Sequence, residues 1–435
     1  MKKLMRLWAA LVCMLLCLAL TGCNMPGEAV QVEELLRAPR LSGDYGDVQT
    51  ALNDWLGESA QLKYPMQGEL LSPFLLQDLD GDGQQDAAVL YTTAQSSNVC
   101  IAILQKNAND TWQVRQNVEG LADTVENVRL AQLQPGGANQ LVVGYMAAQG
   151  DHYLAVYSYA GGELTTILEQ QYEQYLVEDI TGGGNQDLIL MSTLEDGGVQ
   201  IELLTVDKEG SFQQVAVMGL SANRFSGCAS VAAGMGADGK HYLVLDGWTG
   251  ISGNNLASVL LHFDEDTQQM APASQISAER LYNASLRNVP NLVSQDLDGD
   301  GIVEIPTQPD EAGLLNMSQS RRMDFIVWMD YTSPNPEKSF GLLDEETNCY
   351  IELPVEWEGN LKLTDSEQYD GAVELRTVDE DQLVMTVRLA RTTSSSKGWV
   401  RLGMVASRQM QAKLAPDVEI TDKNYRLTKA LHLLN

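Results

Sequence analysis

The feature that most constrains the fold of this sequence is a unit that recurs five times. Each copy consists of the last residue of a strand, a glycine-rich turn and a following apolar strand. The copies begin at Asp78, Gln132, Asp179, Gly234 and Asp296, at intervals of 47 to 62 residues. An interval of that length accommodates four short strands with their turns, which is the size of one β-propeller blade.

The segments around the repeat carry the period-two pattern of short strands. Residues 87–91, 153–157, 199–203 and 242–245 are typical of such strands, and turn residues separate them. This pattern is compatible with a sandwich, a barrel or a propeller, and the repeat favours the propeller. Further strands are predicted at 323–331, 350–355, 372–377, 383–389 and 399–405. They either complete six or seven blades or form a separate C-terminal β module.

Two of the five turns present acidic side chains at alternating positions. Alternating carboxylates in a tight loop suit calcium, a hard cation that binds six to eight oxygen ligands. In the first loop the predicted ligands are Asp78, Asp80, Asp82, the Gln84 carbonyl and Asp86. In the second loop they are Asp296, Asp298, Asp300, the Ile302 carbonyl and Glu304. An EF-hand would need a glutamate at position 12 and flanking helices. Val89 and Thr307 occupy that position, and the flanks are strands.

The remaining three turns have lost some or all of these carboxylates. The third unit keeps Asp179 and Asp187, but Gly183 replaces the central acid. The second unit carries glutamines, and the fourth retains Asp238 alone. We expect these turns to keep the shape of the loop without the ion.

The D-x-D-G-D-G loops followed by strands resemble the FG-GAP/VCBS-type repeats of bacterial surface proteins and integrin alpha-subunit propellers. The resemblance covers roughly residues 68 to 310 and extends to about residue 405 by strand pattern. It implies a β-propeller in which such a loop, between two strands of one blade, holds a structural calcium ion.

The N-terminal segment has the layout of a bacterial lipoprotein signal. Three basic residues precede an apolar run at 7–20, which is too short to span a bilayer. The run ends in Leu-Thr-Gly-Cys, which resembles a lipobox and implies cleavage before Cys23 and its acylation, for example with palmitate. We therefore expect a protein held on the extracytoplasmic face of the cell membrane by a lipid on Cys23.

The sequence is accordingly divided into five predicted segments. A short helix is expected around Asp47 to Leu56, where apolar residues fall on one face. The segments are a signal peptide at 1–22, a lipidated cysteine and tether at 23–45, a helical segment at 46–67, the propeller at 68–405 and a C-terminal strand or helix tail at 406–435. The three remaining cysteines, Cys100, Cys228 and Cys349, are expected to be buried thiols.

The net charge and the absence of catalytic motifs narrow the range of possible functions. A net charge of −31 repels phosphate backbones and excludes nucleic acid as a partner. No catalytic motif is found, and the four histidines show no metal-ligand spacing. The aromatic residues Trp248, Trp328, Tyr331, Trp357 and Trp399 could line a carbohydrate-binding rim, although strand packing is their expected role.

We therefore expect a non-enzymatic cell-envelope lipoprotein, a calcium-stiffened platform for a protein or glycan ligand. The alternatives are an envelope polysaccharide-active enzyme, either a lyase or a glycosidase, and a structural accessory subunit of an export or signalling complex.

Overall fold

The computed structural model describes residues 43–434 except 196, 251–252, 309–321, 335, 337, 393, 395–396 and 424. The predicted signal peptide and the lipid site at Cys23 lie outside the described residues. Neither helix of the described part has both the length and the apolar run that crossing a membrane requires.

The described chain is mostly β-structure, arranged in antiparallel sheets that follow one another along the sequence. The first sheet contains β1 Gln61–Leu62, β2 Phe74–Gln77, β3 Asp86–Thr92, β4 Cys100–Lys106 and β5 Trp112–Glu119. The second contains β6 Thr124–Ala131, β7 Gln140–Met146, β8 His152–Ala160 and β9 Glu163–Tyr172. The third contains β10 Gln174–Glu178, β11 Asp187–Thr193, β12 Gly198–Val206 and β13 Phe212–Ser221.

Three further sheets complete the described fold. The fourth contains β14 Gly227–Met235, β15 His241–Thr249, β16 Asn255–Asp264 and β17 Gln269–Pro272. The fifth contains β18 Ile305–Thr307, β19 Met323–Met329, β20 Lys338–Asp344, β21 Cys349–Leu353 and β27 Leu431–Leu433. The sixth contains β22 Leu361–Asp365, β23 Ala372–Thr377, β24 Leu383–Arg391, β25 Val400–Val405 and β26 Arg408–Leu414.

In the described part of the chain, two α-helices and two short 3₁₀ helices lie outside the sheets. They are α1 Asp44–Leu56, α2 Ala278–Ala284 and the 3₁₀ turns Val355–Trp357 and Leu427–Lys429. Helix α1 ends at Leu56 and is capped by Gly57, which has a positive φ of 71° and whose N–H bonds back to the carbonyl of Asn53.

Each sheet packs against the next one along the chain, because alternate side chains of a strand point to opposite faces. In β3, Ala88 and Leu90 pack towards the second sheet. Ala87, Val89 and Tyr91 pack against Val48 and Leu52 of α1 on the other face. Apolar clusters join each later pair of neighbouring sheets in the same way. Among the described residues no such cluster joins the first sheet to the sixth.

The segment boundaries differ from the predicted ones at two places. Helix α1 begins at Asp44, inside the predicted tether, and β1 lies inside the predicted helical segment because it pairs with the end of β3. The predicted tail at 406–435 contains two sheet strands. Strand β26 pairs with β24 and β25, and β27 pairs with β21. The pairings of β1 with β3 and of β27 with β21 join segments distant in sequence, which local patterns do not reveal.

The three described cysteines, Cys100, Cys228 and Cys349, are free and buried.

Candidate metal centres

The two acidic loops occupy the same place in their sheets. The first loop connects β2 to β3, and the pairing of Gln77 with Asp86 closes it at its base. The second loop is closed by the pairing of Gln295 with Glu304, directly before β18. Equivalent residues of the two loops therefore hold equivalent positions relative to the strands they join.

Backbone amides organise the first acid of each loop. Asp78 accepts hydrogen bonds from the N–H groups of Gly81 (2.8 Å) and Gly83 (2.9 Å). Asp296 accepts them from Gly299 (2.7 Å) and Gly301 (2.9 Å). All four glycines have a positive φ, a backbone conformation that residues with a side chain rarely adopt. The glycines therefore wrap each loop around its first carboxylate.

The next two aspartates of each loop accept hydrogen bonds from backbone N–H groups two residues further along the turn. In the first loop, Asp82 N–H donates to Asp80 (3.2 Å) and Gln84 N–H donates to Asp82 (2.7 Å). The second loop repeats these contacts from Asp300 to Asp298 (3.2 Å) and from Ile302 to Asp300 (2.8 Å).

Each loop gathers three of its predicted acidic ligands. Oxygens of Asp78, Asp80 and Asp86 lie within 4.8 Å of one another in the first loop. Oxygens of Asp296, Asp298 and Asp300 do so in the second. These groups leave out two of the predicted acids, Asp82 and Glu304. Asp82 bonds both the backbone and the side chain of Gln84. The backbone carbonyls of Gln84 and Ile302 were predicted to be ligands. The backbone contacts that the structure shows for these two residues are made by their N–H groups, which donate to Asp82 and Asp300.

The ninth position of the loop has a structural role that the sequence analysis missed. Its side chain accepts a hydrogen bond from the N–H of the second position in four units, whatever its charge. The pairs are Asp86 with Leu79 (2.8 Å), Gln140 with Leu133 (2.9 Å), Asp187 with Ile180 (2.9 Å) and Glu304 with Leu297 (2.8 Å). An oxygen-bearing side chain at this offset in four units is the signal that could have revealed it.

The crowding of these carboxylates changes their acidity. Burial raises the pKa of Glu304 to about 7, and the charges of Asp298 and Asp300 add to the rise. Burial also raises the pKa of Asp86 and of Asp298, again with neighbouring acids contributing. A bound divalent cation would offset this repulsion, so the all-oxygen donor sets fit calcium.

A buried ion pair fixes the chain just before the second loop. Arg287 Nη2 lies 2.7 Å from Asp246 Oδ1, close enough for charge attraction although not aligned as a hydrogen bond, and both side chains are fully buried. Asp246 also accepts hydrogen bonds from the backbone and the hydroxyl of Ser294, two residues before the loop. The fourth sheet therefore positions the loop of the fifth.

A second cluster of polar groups lies at the opposite end of the sheets from the acidic loops. Glu126 Oε2 lies 2.8 Å from His152 Nδ1 and accepts the hydroxyl of Tyr172 (2.7 Å). Gln67 donates to Glu126 Oε1 (2.9 Å). His152 and Tyr172 line a cavity of about 380 Å³. This cluster could not be predicted from the sequence, because Glu126, His152 and Tyr172 come from β6, β8 and β9 and share no local motif.

Comparison with known proteins assigns no family. No protein-family model and no curated protein matches the chain. Among solved structures, the rhamnogalacturonan lyase YesW is 10% identical with a TM-score of 0.31, over 82% of this chain and 90% of the lyase. A Bacillus licheniformis rhamnogalacturonan lyase is 9% identical with a TM-score of 0.29, over 82% of this chain and 91% of the lyase. A 6-phosphogluconolactonase-like protein of Bacteroides fragilis is 12% identical with a TM-score of 0.30, over 73% of this chain and 84% of that protein. At these TM-scores the likenesses carry no assignment of activity.

Proposed function

We propose that this protein is a lipid-anchored envelope protein with FG-GAP/VCBS-type repeats, a non-enzymatic platform that binds a protein or glycan ligand. Its six sheets are the blades of a β-propeller, and calcium bound in the two acidic loops stiffens it. The observation that carries the proposal is the equivalence of the loops. Two segments more than 200 residues apart gather three carboxylates each, at the same position beside a strand pair.

The donor sets explain why the cation would be calcium and why its role would be structural. Each loop offers carboxylate oxygens, the ligands that calcium prefers, and includes no imidazole or thiolate. In the first loop bound calcium would join Asp78 at the start to Asp86 at the end, and in the second it would join Asp296, Asp298 and Asp300. The chain itself provides the rest, because glycine amides already hold the first carboxylate of each loop in place.

Anchoring follows from the predicted acylation of Cys23. Two or more acyl chains give stable membrane attachment where one does not. A rigid platform on such a tether suits recognition at the extracytoplasmic face. Capture of envelope components by the purified protein, with calcium and with chelator, would identify the ligand.

The calcium proposal is tested by thermal unfolding with calcium and with EDTA. We expect calcium to stabilise the folded state by about 2.7 kcal/mol per site at a free concentration 100 times the Kd. The double substitution Asp80→Ala and Asp298→Ala should abolish the difference between the two conditions. Asp179→Ala, in the third loop, is the matched control and should preserve the difference. A protein whose unfolding temperature is the same with calcium and with EDTA would refute the proposal.

One observation favours a polysaccharide-active enzyme as the second candidate function. Glu126 holds Nδ1 of His152, which leaves Nε2 as the ring nitrogen able to exchange a proton at the cavity. Such an enzyme would release reducing ends from an envelope polysaccharide, and His152→Gln would remove that release without changing the unfolding temperature. If wild-type protein releases no reducing ends from a panel of polysaccharides, this candidate is eliminated.

A further inference from the structure

The second acidic loop opens onto a cavity of about 200 Å³ in the fifth sheet. Four of its five predicted ligand positions line this cavity: Asp298, Asp300, Ile302 and Glu304. The other walls come from distant parts of the chain, including Trp328 on β19, Glu352 on β21 and His432 on β27. A cation held by this loop would therefore face a space large enough for one sugar ring.

The strand that lies beside each acidic loop places a different side chain next to it in the two sheets. In the first sheet Gln105 pairs with Asp86, and its amide donates to the second oxygen of Asp80 (3.1 Å). The pairing of Ile305 with Met329 in the fifth sheet, extended by one residue, places Asp330 opposite Glu304. Asp330 is buried and lines the cavity. A donor that caps the first loop is thus replaced by an acceptor that borders the second.

One of the residues that line this cavity, Trp328, carries a buried donor without a partner among the described residues. Trp328 is 0% exposed, and its indole N–H has no hydrogen-bond partner among the described residues. An unpaired buried donor costs about 1–3 kcal/mol, so an acceptor oxygen supplied from outside would be favourable here. This donor is independent of the acidic residues, because a cation alone would not satisfy it.

The walls are otherwise rich in acceptors. Asp298, Asp300, Glu304, Asp330 and Glu352 all line the cavity, and Glu352 lies 3.4 Å from His432 Nε2 at its edge. Carboxylates accept hydrogen bonds from hydroxyl groups. They also repel anions, and one divalent cation would not neutralise five of them.

We propose that this cavity binds a neutral sugar through vicinal hydroxyl groups that complete the coordination of calcium in the second loop. The hydroxyl oxygens ligate the cation while their protons are donated to the surrounding carboxylates. The indole N–H of Trp328 donates to a further sugar oxygen. This inference rests on the proposed calcium binding and names the glycan class and its site.

The test uses calorimetry on the purified protein in two stages. Calcium alone is titrated first, and we expect two sites. The methyl glycosides of glucose, mannose and galactose are then titrated with calcium and with EDTA, and methyl glucuronide serves as the anionic match to the glucoside. We expect a neutral glycoside to bind in the presence of calcium and not in the presence of EDTA. The glucuronide should bind about tenfold more weakly than the glucoside, the equivalent of 1.4 kcal/mol.

Two substitutions localise the binding. Trp328→Phe should weaken glycoside binding by about tenfold and leave the calcium titration unchanged. Because Trp328 is in the core, Glu352→Ala at the more exposed edge is the second variant, with the same expected loss. Asp379→Ala, an exposed acid on the turn between β23 and β24 that does not line the cavity, is its matched control and should bind as wild type does.

The outcomes separate this inference from the calcium proposal. If calcium fills two sites but no neutral glycoside binds, or if the glucuronide binds as well as the glucoside, the sugar site is refuted and the calcium proposal stands. Equal losses in Glu352→Ala and Asp379→Ala would also refute it. If calcium fails to bind the second loop, both proposals fall.

Discussion

Asp187 is a carboxylate in a place where the preceding unit of the repeat carries an amide. Its side chain accepts hydrogen bonds from Ile180 N–H (2.9 Å) and Thr181 N–H (2.8 Å). Gln140 makes the equivalent contacts in the second unit with Leu133 and Gln134. The hydrogen bonds of this position therefore need an oxygen and not a charge.

The buried charge of Asp187 makes its contribution to stability depend on pH. Burial raises its pKa from 3.8 to about 6, so the folded protein binds the proton more tightly than the unfolded chain. Between these two values the folded state carries more protons, and stability falls as the pH rises. The contribution of Asp187 is thus most favourable below pH 4 and is lost as the pH passes through about 6.

We predict that Asp187→Asn stabilises the protein at pH 7 by roughly 1–3 kcal/mol and has little effect at pH 4. The amide keeps an acceptor for both N–H groups and removes the buried charge. Urea denaturation at the two pH values measures the difference. Asp379→Asn, at an exposed site, is the control. A loss of stability at pH 7 would contradict the prediction and would show that the third loop needs the negative charge.

Helix α1 covers a face of the first sheet in the way that a neighbouring sheet covers the faces of the others. It covers the face of β3 that points away from the second sheet, and its side chains Val48 and Leu52 are fully buried there. Without the helix, Ala87, Val89 and Tyr91 would face water. The helix thus acts as a cap on the first sheet.

We predict that Leu52→Ala lowers the free energy of unfolding by about 2–5 kcal/mol, the usual cost of such a cavity in a core. Trp55→Ala in the same helix should cost little, because Trp55 is 52% exposed. Denaturant unfolding of the two variants makes the comparison. Equal costs would mean that α1 is not held by its apolar face.

Strand β27 has a comparable effect at the other end of the chain. It pairs with β21 through Cys349, Tyr350 and Ile351, and so adds the C-terminus to the fifth sheet. This pairing brings His432 to the cavity beside the second acidic loop. A segment that looks like a simple tail in the sequence therefore contributes to the candidate binding site.

For the whole molecule, the dominant electrostatic property is its acidity. Twenty-eight basic residues face 59 acidic ones, which leaves a net charge of −31. Self-repulsion of that size opposes the compact state, and salt screens it over a Debye length of about 10 Å at 0.1 M.

We predict that raising NaCl from 0.02 to 0.5 M in the presence of EDTA stabilises the folded protein by about 1 kcal/mol, or about 2 °C in Tm. EDTA removes divalent cations, so the effect reports screening alone. Calorimetry at the two salt concentrations measures it, and potassium chloride should give the same result. A Tm that falls with salt would mean that attractive ion pairs outweigh the repulsion.

Much of the local structure follows from the sequence. The alternation of apolar residues predicts the strands, and the spacing of the glycine turns predicts a succession of small sheets. The wrapping of each acidic loop is equally local, because aspartate carboxylates bond amides three to five residues ahead and glycine permits the positive φ. Such contacts need no partner from elsewhere in the chain.

The tertiary structure alone decided which strands and side chains meet across long distances. It placed β27 in the fifth sheet, set Gln105 beside one loop and Asp330 beside the other, and assembled Glu126, His152 and Tyr172. A period-two pattern specifies which face of a strand is buried and leaves its partner open. The choice of partner depends on packing interactions summed over many residues. No single segment contributes enough of these interactions for its partner to be recognised from that segment alone.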